Sequence, residues 1–284
     1  MRLTGKTRLY AIIGDPIAQV RSPEVYTERF AATGIDAVLV PAHVPVDRFD
    51  VVIPALLELA NLDGVLVTVP FKARMVRFAR RLGRSAQLVG AVNALRREAD
   101  GSWTADMFDG VGFVRAAERK AQRIRGRRVV LFGAGGAGSA IACALAIAHV
   151  ETIDVIDPDP ARAESLAKRL TAHFPDCTFQ VATTVREGAD MVVNASPIGM
   201  SPGDGLPAAI EFLDPETLVG DVVISDAPTP LMQLAMRYGC PFVDGRDMHS
   251  GQVDALLAFF SFAAAPHIDA PAAPLHAVSN ALGS

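Results

Sequence analysis

The sequence is poor in cysteine, which bears on how the chain is stabilised. Its 284 residues include three cysteines, Cys143, Cys177 and Cys240, which are odd in number and far apart. A disulfide framework uses an even set at regular spacings, so this pattern favours reduced structural thiols and a cytoplasmic setting. Because half of the residues are hydrophobic, sizeable cores can form without covalent cross-links.

Long apolar runs and clusters of positive charge are also missing. The amino-terminal segment lacks the apolar core of a signal peptide, and the run from Leu9 to Ile13 is too short to cross a membrane. Lysine and arginine are dispersed through a chain of net charge −4, without the basic face that binds nucleic acid. We therefore expect no membrane span and no nucleic-acid partner, and the length suggests about two domains.

A glycine-rich segment in the middle of the chain is the strongest local motif. The apolar run from Val129 to Phe132 predicts a buried strand, and the apolar run over residues 140–148 predicts a helix. Between them, a G-x-G-x-x-G pattern gives the tight turn and the close backbone approach that a pyrophosphate needs at a helix N-terminus. The alternative is a turn in an α/β domain that binds no nucleotide. The residues predicted to bind a dinucleotide are Gly133, Gly135, Gly136, Ala137 and Gly138.

An acidic residue follows at the distance expected for a ribose contact. The next predicted strand, Thr152 to Ile156, ends at Asp157, 19 residues after Gly138. A carboxylate there accepts hydrogen bonds from the ribose hydroxyls. Because Asp157 and Asp159 would repel a 2′-phosphate, we expect NAD to be preferred over NADP. Arg162, one turn into the following helix, is the residue that could oppose this preference; the alternative is a solvated arginine held by the two carboxylates.

The remaining sequence alternates strand and helix signals. Ser22 is expected to cap a helix over 22–32, and Asp100-Gly101 predicts a hairpin between residues 90–95 and 103–105. Helices are also expected over 46–62, 71–82, 161–170, 230–238 and 252–263, and strands over 9–13, 37–41, 64–70, 178–181, 191–194, 218–225 and 242–243.

This pattern predicts an α/β fold with two domains. A substrate-binding and catalytic α/β domain is expected over residues 1–109, and a Rossmann nucleotide-binding domain over residues 110–245. We expect the helix in the carboxyl-terminal segment, 246–284, to pack back on the first domain, which would then be discontinuous. The end of that segment, from Ala264, is rich in alanine and proline and is expected to be a loose tail.

Several blocks resemble the shikimate dehydrogenase family, in the family's own order. Residues 14–23 read GDPIAQVRSP against the family's G-x-P-I-x-H-S-x-S-P, and residues 64–72 correspond to G-x-N-V-T-x-P-x-K. Residues 90–95 read GAVNAL, close to G-A-V-N-T-L, and residues 105–112 correspond to G-x-N-T-D-x-x-G. Further blocks are NASPIGM at 194–200, Asp221 with Thr229-Pro230-Leu231, and Gly245 to Met248 with Gln252. The match spans nearly the whole chain, which is identified as a member of this family.

The resemblance implies reversible hydride transfer between a nicotinamide cofactor and a ring hydroxyl or ketone of a small cyclic hydroxy acid, such as shikimate or quinate. It places Lys72 and Asp109 at the reacting oxygen, in a cleft between the domains. A ketone oxygen gains negative charge as hydride arrives, so an ammonium can stabilise it and donate a proton, while a carboxylate holds the lysine in place. The plainer alternatives are a solvated lysine for Lys72 and a helix cap for Asp109.

The same resemblance assigns further ligands, and it implies no metal. Each substrate ligand has a plainer alternative as a cap, a turn residue or a surface residue. The substrate ligands are Ser22, Thr68, Asn93 and Gln252, and Gly245 and Met248 join the glycine loop and Asp157 at the cofactor.

The departures from the family pattern concentrate where the substrate is recognised. The family's His-Ser pair is Gln19-Val20, its asparagine in the second block is Leu66, and a tyrosine is replaced by Ile224. Met107-Phe108 replaces Asn-Thr, and Pro158 stands where NADP-using members carry an arginine. Each polar partner lost to a shikimate-like ligand costs on the order of 1–3 kcal/mol. This pattern fits a paralogue acting on a less polar ring compound, or one that binds shikimate or quinate in an altered mode.

Two other functions stay open at this point. One is genuine shikimate or quinate dehydrogenase activity despite the altered pocket, and the other is an NAD-binding sensor that has lost catalysis. The retained pair of Lys72 and Asp109 favours an enzyme. A monomer or a homodimer is expected.

Overall fold

Two six-stranded sheets carry the fold of this chain. The computed structural model describes residues 3–121, 123–210, 212–225 and 227–260. Within these ranges, no helix combines the length and the apolar character that crossing a membrane requires.

The first sheet is mixed and precedes the glycine-rich segment. Its order is β2-β1-β3-β5-β6-β4, with β1 parallel to β2 and β3, and with β5 antiparallel to both β3 and β6. The hairpin expected at Asp100-Gly101 is therefore present. The strands are β1 (Arg8–Gly14), β2 (Ala37–His43), β3 (Leu62–Val67), β4 (Arg81–Leu82), β5 (Ala94–Arg97) and β6 (Trp103–Asp106), and the helices are α1 (Ser22–Ala32), α2 (Phe49–Leu57) and α3 (Arg84–Val89).

The second sheet is wholly parallel, with the order β12-β11-β10-β7-β8-β9. This is the doubly wound Rossmann order, in which ligands bind at the carboxyl ends of the strands where the order reverses, here between β7 and β10. The strands are β7 (Arg128–Phe132), β8 (Thr152–Ile156), β9 (Thr178–Val181), β10 (Met191–Asn194), β11 (Leu218–Asp221) and β12 (Phe242–Asp244), and the helices are α4 (Asp109–Ala121), α5 (Gly136–Ile147), α6 (Pro160–Thr171) and α7 (Pro230–Tyr238).

The last described helix, α8 (Gly245–Phe259), leaves the second sheet and packs on the first domain. Its Val253 and Leu256 share a hydrophobic cluster with Tyr26 and Phe30 of α1, and its Asp254 pairs with Arg29 at 3.1 Å. The predicted fold class, a Rossmann domain with a discontinuous α/β substrate domain, is confirmed. The boundaries 1–109, 110–245 and 246–284 stay a prediction.

Of the two long helices expected in the first half, the one over 71–82 is wrong and the one over 46–62 is shorter than expected. The segment 71–82 forms a 3₁₀ turn, Arg74–Phe78, and then strand β4, which pairs with β6. Two of its arginines, Arg74 and Arg77, lie over the ring of Phe49 and pair with Asp50. The segment 46–62 is likewise divided into a 3₁₀ turn over 46–48, helix α2 and the start of β3. Tertiary contacts of these side chains outweigh the helical spacing.

Several helix and strand ends also differ from expectation. Helix α8 begins at Gly245 rather than Gln252, because Asp244 and Asp247 form a capping box. Strand β11 stops at Asp221, whose side chain accepts a hydrogen bond from the backbone N–H of Val223. The expected end of the last helix and the expected tail, beyond residue 260, lie outside the described residues.

Gly138 allows helix α5 to pack closely on the preceding strand, and we expect its substitution to destabilise the protein. A Cβ at this position would overlap the carbonyl oxygen of Gly133, where α5 approaches the strand. We expect Gly138→Ala to lower the free energy of unfolding by about 1–3 kcal/mol, as overpacked cores do. Urea unfolding measures this, with Gly205→Ala as the control because a Cβ there meets nothing within 4 Å. Equal stability of the two variants would contradict the packing role.

Candidate active site

A cavity of about 640 Å³ lies between the two domains. Its walls come from the loops at the ends of β1, β3, β7, β8 and β10, together with α8. All the predicted site residues line it except Gly138, which packs α5 on the strand instead. They are Ser22, Thr68, Lys72, Asn93, Asp109 and Gln252 on the substrate side, and Gly133, Gly135, Gly136, Ala137, Asp157, Gly245 and Met248 on the nucleotide side.

A connected polar cluster occupies the substrate side of the cavity. Lys72 Nζ forms an ion pair with Asp109 Oδ2, and the two side chains are only 15% and 4% exposed. Asn93 Nδ2 donates to Asp109 Oδ1 at 2.7 Å and to Gln252 Oε1 at 2.9 Å. The backbone N–H of Phe108 donates to Asn93 Oδ1 at 2.9 Å, which fixes the orientation of the amide. Four residues far apart in sequence thus form one hydrogen-bonded group.

Local structure explains how these side chains converge. Lys72 lies in the turn after β3, where the buried ring of Phe71 anchors the chain and the backbone N–H of Val92 donates to the Lys72 carbonyl at 3.0 Å. Asn93 immediately precedes β5, and Asp109 is the first residue of α4. Because β3 and β5 are neighbours in the sheet, the lysine and the amide meet at one edge.

The polar cluster lies directly beside the glycine loop. A Cβ at Gly136 would be 3.4 Å from Cβ and Cδ of Lys72, so the lysine stem contacts the start of α5. An ammonium held by a carboxylate can stabilise negative charge on a substrate oxygen and exchange a proton with it. The cavity therefore brings an acid–base group next to a loop of the kind that binds a pyrophosphate.

Asp157 accepts two backbone hydrogen bonds on the nucleotide side of the cavity. Its Oδ2 accepts a hydrogen bond from the backbone N–H of Ala134 at 2.7 Å, and its Oδ1 accepts one from that of Asp159 at 3.0 Å. Gly133, at φ 95°, makes the turn into the loop in a conformation that favours glycine. The carboxylate of Asp157 is thus held against the glycine loop.

Arg162 differs from its expected state. We expected the carboxylates of Asp157 and Asp159 to hold it, but in the part of the chain that the structure describes it forms no ion pair with either. Instead, its guanidinium lies beside the loop, where a Cβ at Gly135 would be 3.3 Å from Arg162 Nη2. Asp159 caps α6 by accepting from the backbone N–H of Ala161. Arg162 and Asp157 thus line the same cavity beside the glycine loop.

A buried network supports the far wall of the nucleotide side. Asn194 Nδ2 donates to the Ile198 carbonyl at 2.9 Å and to Asp221 Oδ1 at 3.1 Å, and Thr229 Oγ1 donates to Asp221 Oδ2 at 2.6 Å. Burial raises the pKa of Asp221, while the hydrogen bonds from Thr229, Val223 and Asn194 oppose that rise. The sequence comparison matched the blocks that contain Asn194, Asp221 and Thr229 but assigned them no role. Their hydrogen bonds show that they support the cavity wall on the nucleotide side.

The three hydrocarbon replacements, Val20, Leu66 and Ile224, all line the cavity. These three side chains therefore face the pocket, where they can alter substrate recognition.

Ser22 also lines the cavity, but it does not cap α1. It is the first helical residue, after Arg21, and its hydroxyl lies 3.0 Å from His249 Nε2. The expected cap is wrong because the side chain is used in this contact.

His249 was missed by the sequence reasoning, although it lines the same cavity. It follows Met248 directly, so it falls between two predicted site residues. Its ring also meets that of Tyr26 edge-on, with centroids 6.1 Å apart. Burial lowers the pKa of His249, and the negative charge of Asp109 opposes the shift. The available signal was a histidine next to one predicted ligand, Met248, and three residues before another, Gln252.

Comparison with known proteins agrees with this geometry. A model described as the shikimate dehydrogenase substrate binding domain matches residues 12–95, and a ThiF family model matches residues 111–195. A shikimate dehydrogenase (NADP(+)) from Rubrobacter xylanophilus is 35% identical over 254 residues, which cover 87% of this chain and 88% of the relative. The chain belongs to the shikimate dehydrogenase family.

Solved structures of similar proteins share this architecture. Shikimate 5-dehydrogenase from Listeria monocytogenes, in complex with shikimate and NAD, has a TM-score of 0.80 and 29% identity, covering 92% of this chain and 94% of its own. The ligand-free 5-ketofructose reductase of Gluconobacter sp. strain CHM43 has a TM-score of 0.78 and 25% identity, covering 90% and 94%. The chain is thus an oxidoreductase of the shikimate dehydrogenase family, with a pyridine nucleotide cofactor.

Proposed function

We propose that this chain transfers hydride between NAD and a ring hydroxyl or ketone, with Lys72 and Asp109 at the reacting oxygen. The observation that carries this proposal is the buried Lys72–Asp109 pair, hydrogen-bonded through Asn93 and lying against Gly136 of the glycine loop. A sensor without catalysis has no need for such a pair.

The residues present fit a dinucleotide. The loop residues Gly135 and Gly136 leave space where a Cβ would meet Arg162 and Lys72, and the carboxylate of Asp157, which accepts from the backbone N–H of Ala134, suits the ribose hydroxyls. A dinucleotide held by these residues would supply the nicotinamide that exchanges hydride with the carbinol or ketone carbon of the substrate. In the reducing direction, Lys72 Nζ gives a proton to the oxygen as that oxygen gains charge. Asp109 keeps the ammonium in place, and Asn93 keeps Asp109 in place.

The substrate of the proposed reaction is a shikimate- or quinate-like cyclic hydroxy acid, or a less polar relative. The retained ligands Thr68, Asn93 and Gln252 suit a ring with hydroxyl groups. The hydrocarbon side chains of Val20 and Leu66 in the cavity favour a less polar substrate. A protein of similar fold, 5-ketofructose reductase, is named for an uncharged ketose, which agrees with this preference.

A screen of cyclic hydroxy acids and cyclic polyols for reduction of NAD and NADP tests the proposed function. We expect turnover with at least one ring alcohol, lost in a variant without Lys72. Tight nucleotide binding without any turnover across the panel would favour the sensor instead.

NAD preference is the second part of the proposal. The carboxylate of Asp157, held against the loop, suits the free ribose hydroxyls and opposes a 2′-phosphate. Pro158 offers no charge in place of the arginine of NADP-using members. The opposing features are Arg162, beside Gly135, and relatives that are named for NADP(+).

We expect NAD to bind at least about tenfold more tightly than NADP, a difference of about 1.4 kcal/mol. Calorimetric titration of both cofactors measures it. Asp157→Asn should lose the preference, because the like-charge repulsion is removed. Arg162→Gln is the matched test of the opposing group, and it should leave NAD affinity unchanged. Equal or tighter binding of NADP by the unaltered chain would contradict the assignment.

A further inference from the structure

His249 lies in the wall of the cavity, although the predicted ligand set contains no histidine. Its Nε2 is 3.0 Å from Oγ of Ser22, a residue that is only 5% exposed, and both residues line the cavity. The ring of Tyr26, one turn after Ser22 on α1, meets the imidazole at an interplanar angle of 88°. The imidazole is thus held between a buried hydroxyl and an aromatic ring, beside the space that a substrate would occupy.

The groups around Ser22 favour an anion. Ser22 is the first residue of α1, and Arg21 before it makes no side-chain cap hydrogen bond, so the positive end of this helix is not covered by a cap. Arg21 also lines the cavity, and in its ion pair with Glu24 both side chains are more than half exposed. Because such exposed pairs are weak, the arginine can exchange this partner for a ligand.

The acidic side chains of the cavity do not oppose an anion at Ser22. Among the cavity-lining residues that the structure describes, they are Asp109, Asp157 and Asp159. Asp109 is paired with Lys72, and the other two lie on the nucleotide side, where they accept backbone hydrogen bonds. A carboxylate of the substrate beside Ser22 therefore meets no unpaired negative charge from the substrate side.

The short distance between Ser22 and His249 brings the imidazole within range of such a carboxylate. An oxygen that accepts a hydrogen bond from Ser22 Oγ lies about 2.7 Å from it, and hence within about 6 Å of His249 Nε2. An opposite charge at about 4–6 Å stabilises the charged form of a titratable group. The bound carboxylate would therefore stabilise the imidazolium form of His249.

We propose that His249 is a further substrate-binding residue, which takes up a proton from solvent as it pairs with a carboxylate held at Ser22. Ser22 belongs to the ligand set predicted from the sequence, whereas His249 adds a group whose charge changes near neutral pH. The hydrocarbon side chains of Val20 and Leu66 in the same cavity disfavour ring hydroxyl groups, so the substrate class is a cyclic acid with fewer hydroxyls than shikimate. This inference rests on the proposed function, because it concerns the substrate of the same cavity.

The other groups that face His249 keep a constant charge near neutral pH. Asp109, whose negative charge raises the pKa of His249, is held as an ion pair by Lys72. Tyr26 faces the ring from α1, and burial raises the pKa of this tyrosine, so it stays uncharged. Arg21 stays protonated throughout. The acidic side chains of α8 on either side of His249 pair with other helices, as Asp247–Lys120 and Asp254–Arg29.

Binding of the acid should weaken as pH rises. Burial lowers the pKa of His249 in the free protein below the usual value of about 6.5, and a bound carboxylate raises it. Affinity for the acid is therefore highest below the pKa of the free protein and falls as pH rises toward the pKa of the complex. A rise of about one pKa unit on binding corresponds to a tenfold loss of affinity over that range.

Nuclear magnetic resonance titration of His249 tests the inference on the unaltered protein, with and without NAD. The probes are shikimate, cyclohex-1-enecarboxylate and cyclohex-1-enylmethanol, in which a hydroxymethyl group replaces the carboxylate. The ring C–H resonance of His249 is assigned by its absence in His249→Gln. We expect at least one of the two acids to raise the pKa of His249 by about one unit or more, and the alcohol to leave it unchanged.

Calorimetry with the same probes, from about pH 5 to about pH 8, measures the affinities while the ligand carboxylate stays ionised. Affinity for the acid should fall at least about tenfold over this range in the unaltered protein and stay level in His249→Gln. His173→Gln is the control, because His173 is an exposed histidine distant in sequence from the site, and it should keep the full pH dependence.

Three results would overturn the inference: binding of an acid without a change in the pKa of His249, an equal pH dependence in His249→Gln, or no binding of either acid. The proposed function is tested separately, by reduction of the nicotinamide with the wider panel of ring alcohols. Turnover of uncharged polyols without binding of any acid would thus contradict the role of His249 and leave the proposed hydride transfer intact.

Discussion

Lys72→Ala is expected to lower kcat by about 10²–10⁴-fold, the usual contribution of a general acid–base group. The Lys72 ammonium pairs with the Asp109 carboxylate, whose side chain is only 4% exposed. The aliphatic part of Lys72 contacts the glycine loop at Gly136. Its loss removes both the proton donor and the charge that stabilises the developing alkoxide. Steady-state kinetics with the best ring alcohol from the screen measures the effect, with cofactor affinity followed in parallel.

The matched control for that variant is Lys168→Ala. Lys168 is an exposed lysine of α6 in the Rossmann domain, so its loss should leave kcat unchanged. Cofactor affinity should be similar in both variants, because the nucleotide contacts are assigned to the loop and to Asp157. A near-normal kcat in Lys72→Ala would remove this lysine from the catalytic role.

Slow or undetectable turnover of shikimate is the second large effect expected. Val20, Leu66 and Ile224 face the cavity as hydrocarbon, where the family pattern has hydroxyl or amide groups. Each partner lost to a polar ligand costs on the order of 1–3 kcal/mol, so two or three losses lower kcat/KM by several orders of magnitude. The measurement is kcat/KM for shikimate against that for the best substrate of the panel.

Restoring the polar groups should partly reverse this defect. The double variant Val20→Ser, Leu66→Asn is expected to raise kcat/KM for shikimate, because the ligand regains hydrogen-bond partners. Val51→Ser is a suitable control, since Val51 is 61% exposed and does not line the cavity. An unaltered enzyme already efficient on shikimate would show that these positions do not govern recognition.

Features that depend on local sequence were the most predictable. The glycine loop, the parallel strands from β7 to β10 and the hairpin at Asp100-Gly101 follow from turn residues and buried β-rich runs. The helix expected over 71–82 is wrong for a tertiary reason: Arg74 and Arg77 stack on Phe49 and pair with Asp50, contacts that spacing alone does not reveal.

In the candidate site, too, residues within recognisable motifs were predicted, whereas a contact between distant segments was missed. Lys72, Asn93, Asp109 and Gln252 were predicted through motif resemblance, and the structure brings them into one hydrogen-bonded group. The contact of His249 with Ser22 joins residues 227 positions apart and needed the return of α8 to the first domain. Their roles in binding and catalysis stay predictions until the variants are measured.

Isotope transfer tests the central claim most directly. A ring alcohol from the panel, deuterated at the reacting carbon, is incubated with the enzyme and NAD, and the reduced cofactor is analysed by mass spectrometry. The account predicts one deuterium on the nicotinamide in the unaltered enzyme and a rate of transfer at least about 10²-fold lower in Lys72→Ala. Reduced cofactor without deuterium, or transfer at the same rate in the lysine variant, would contradict it.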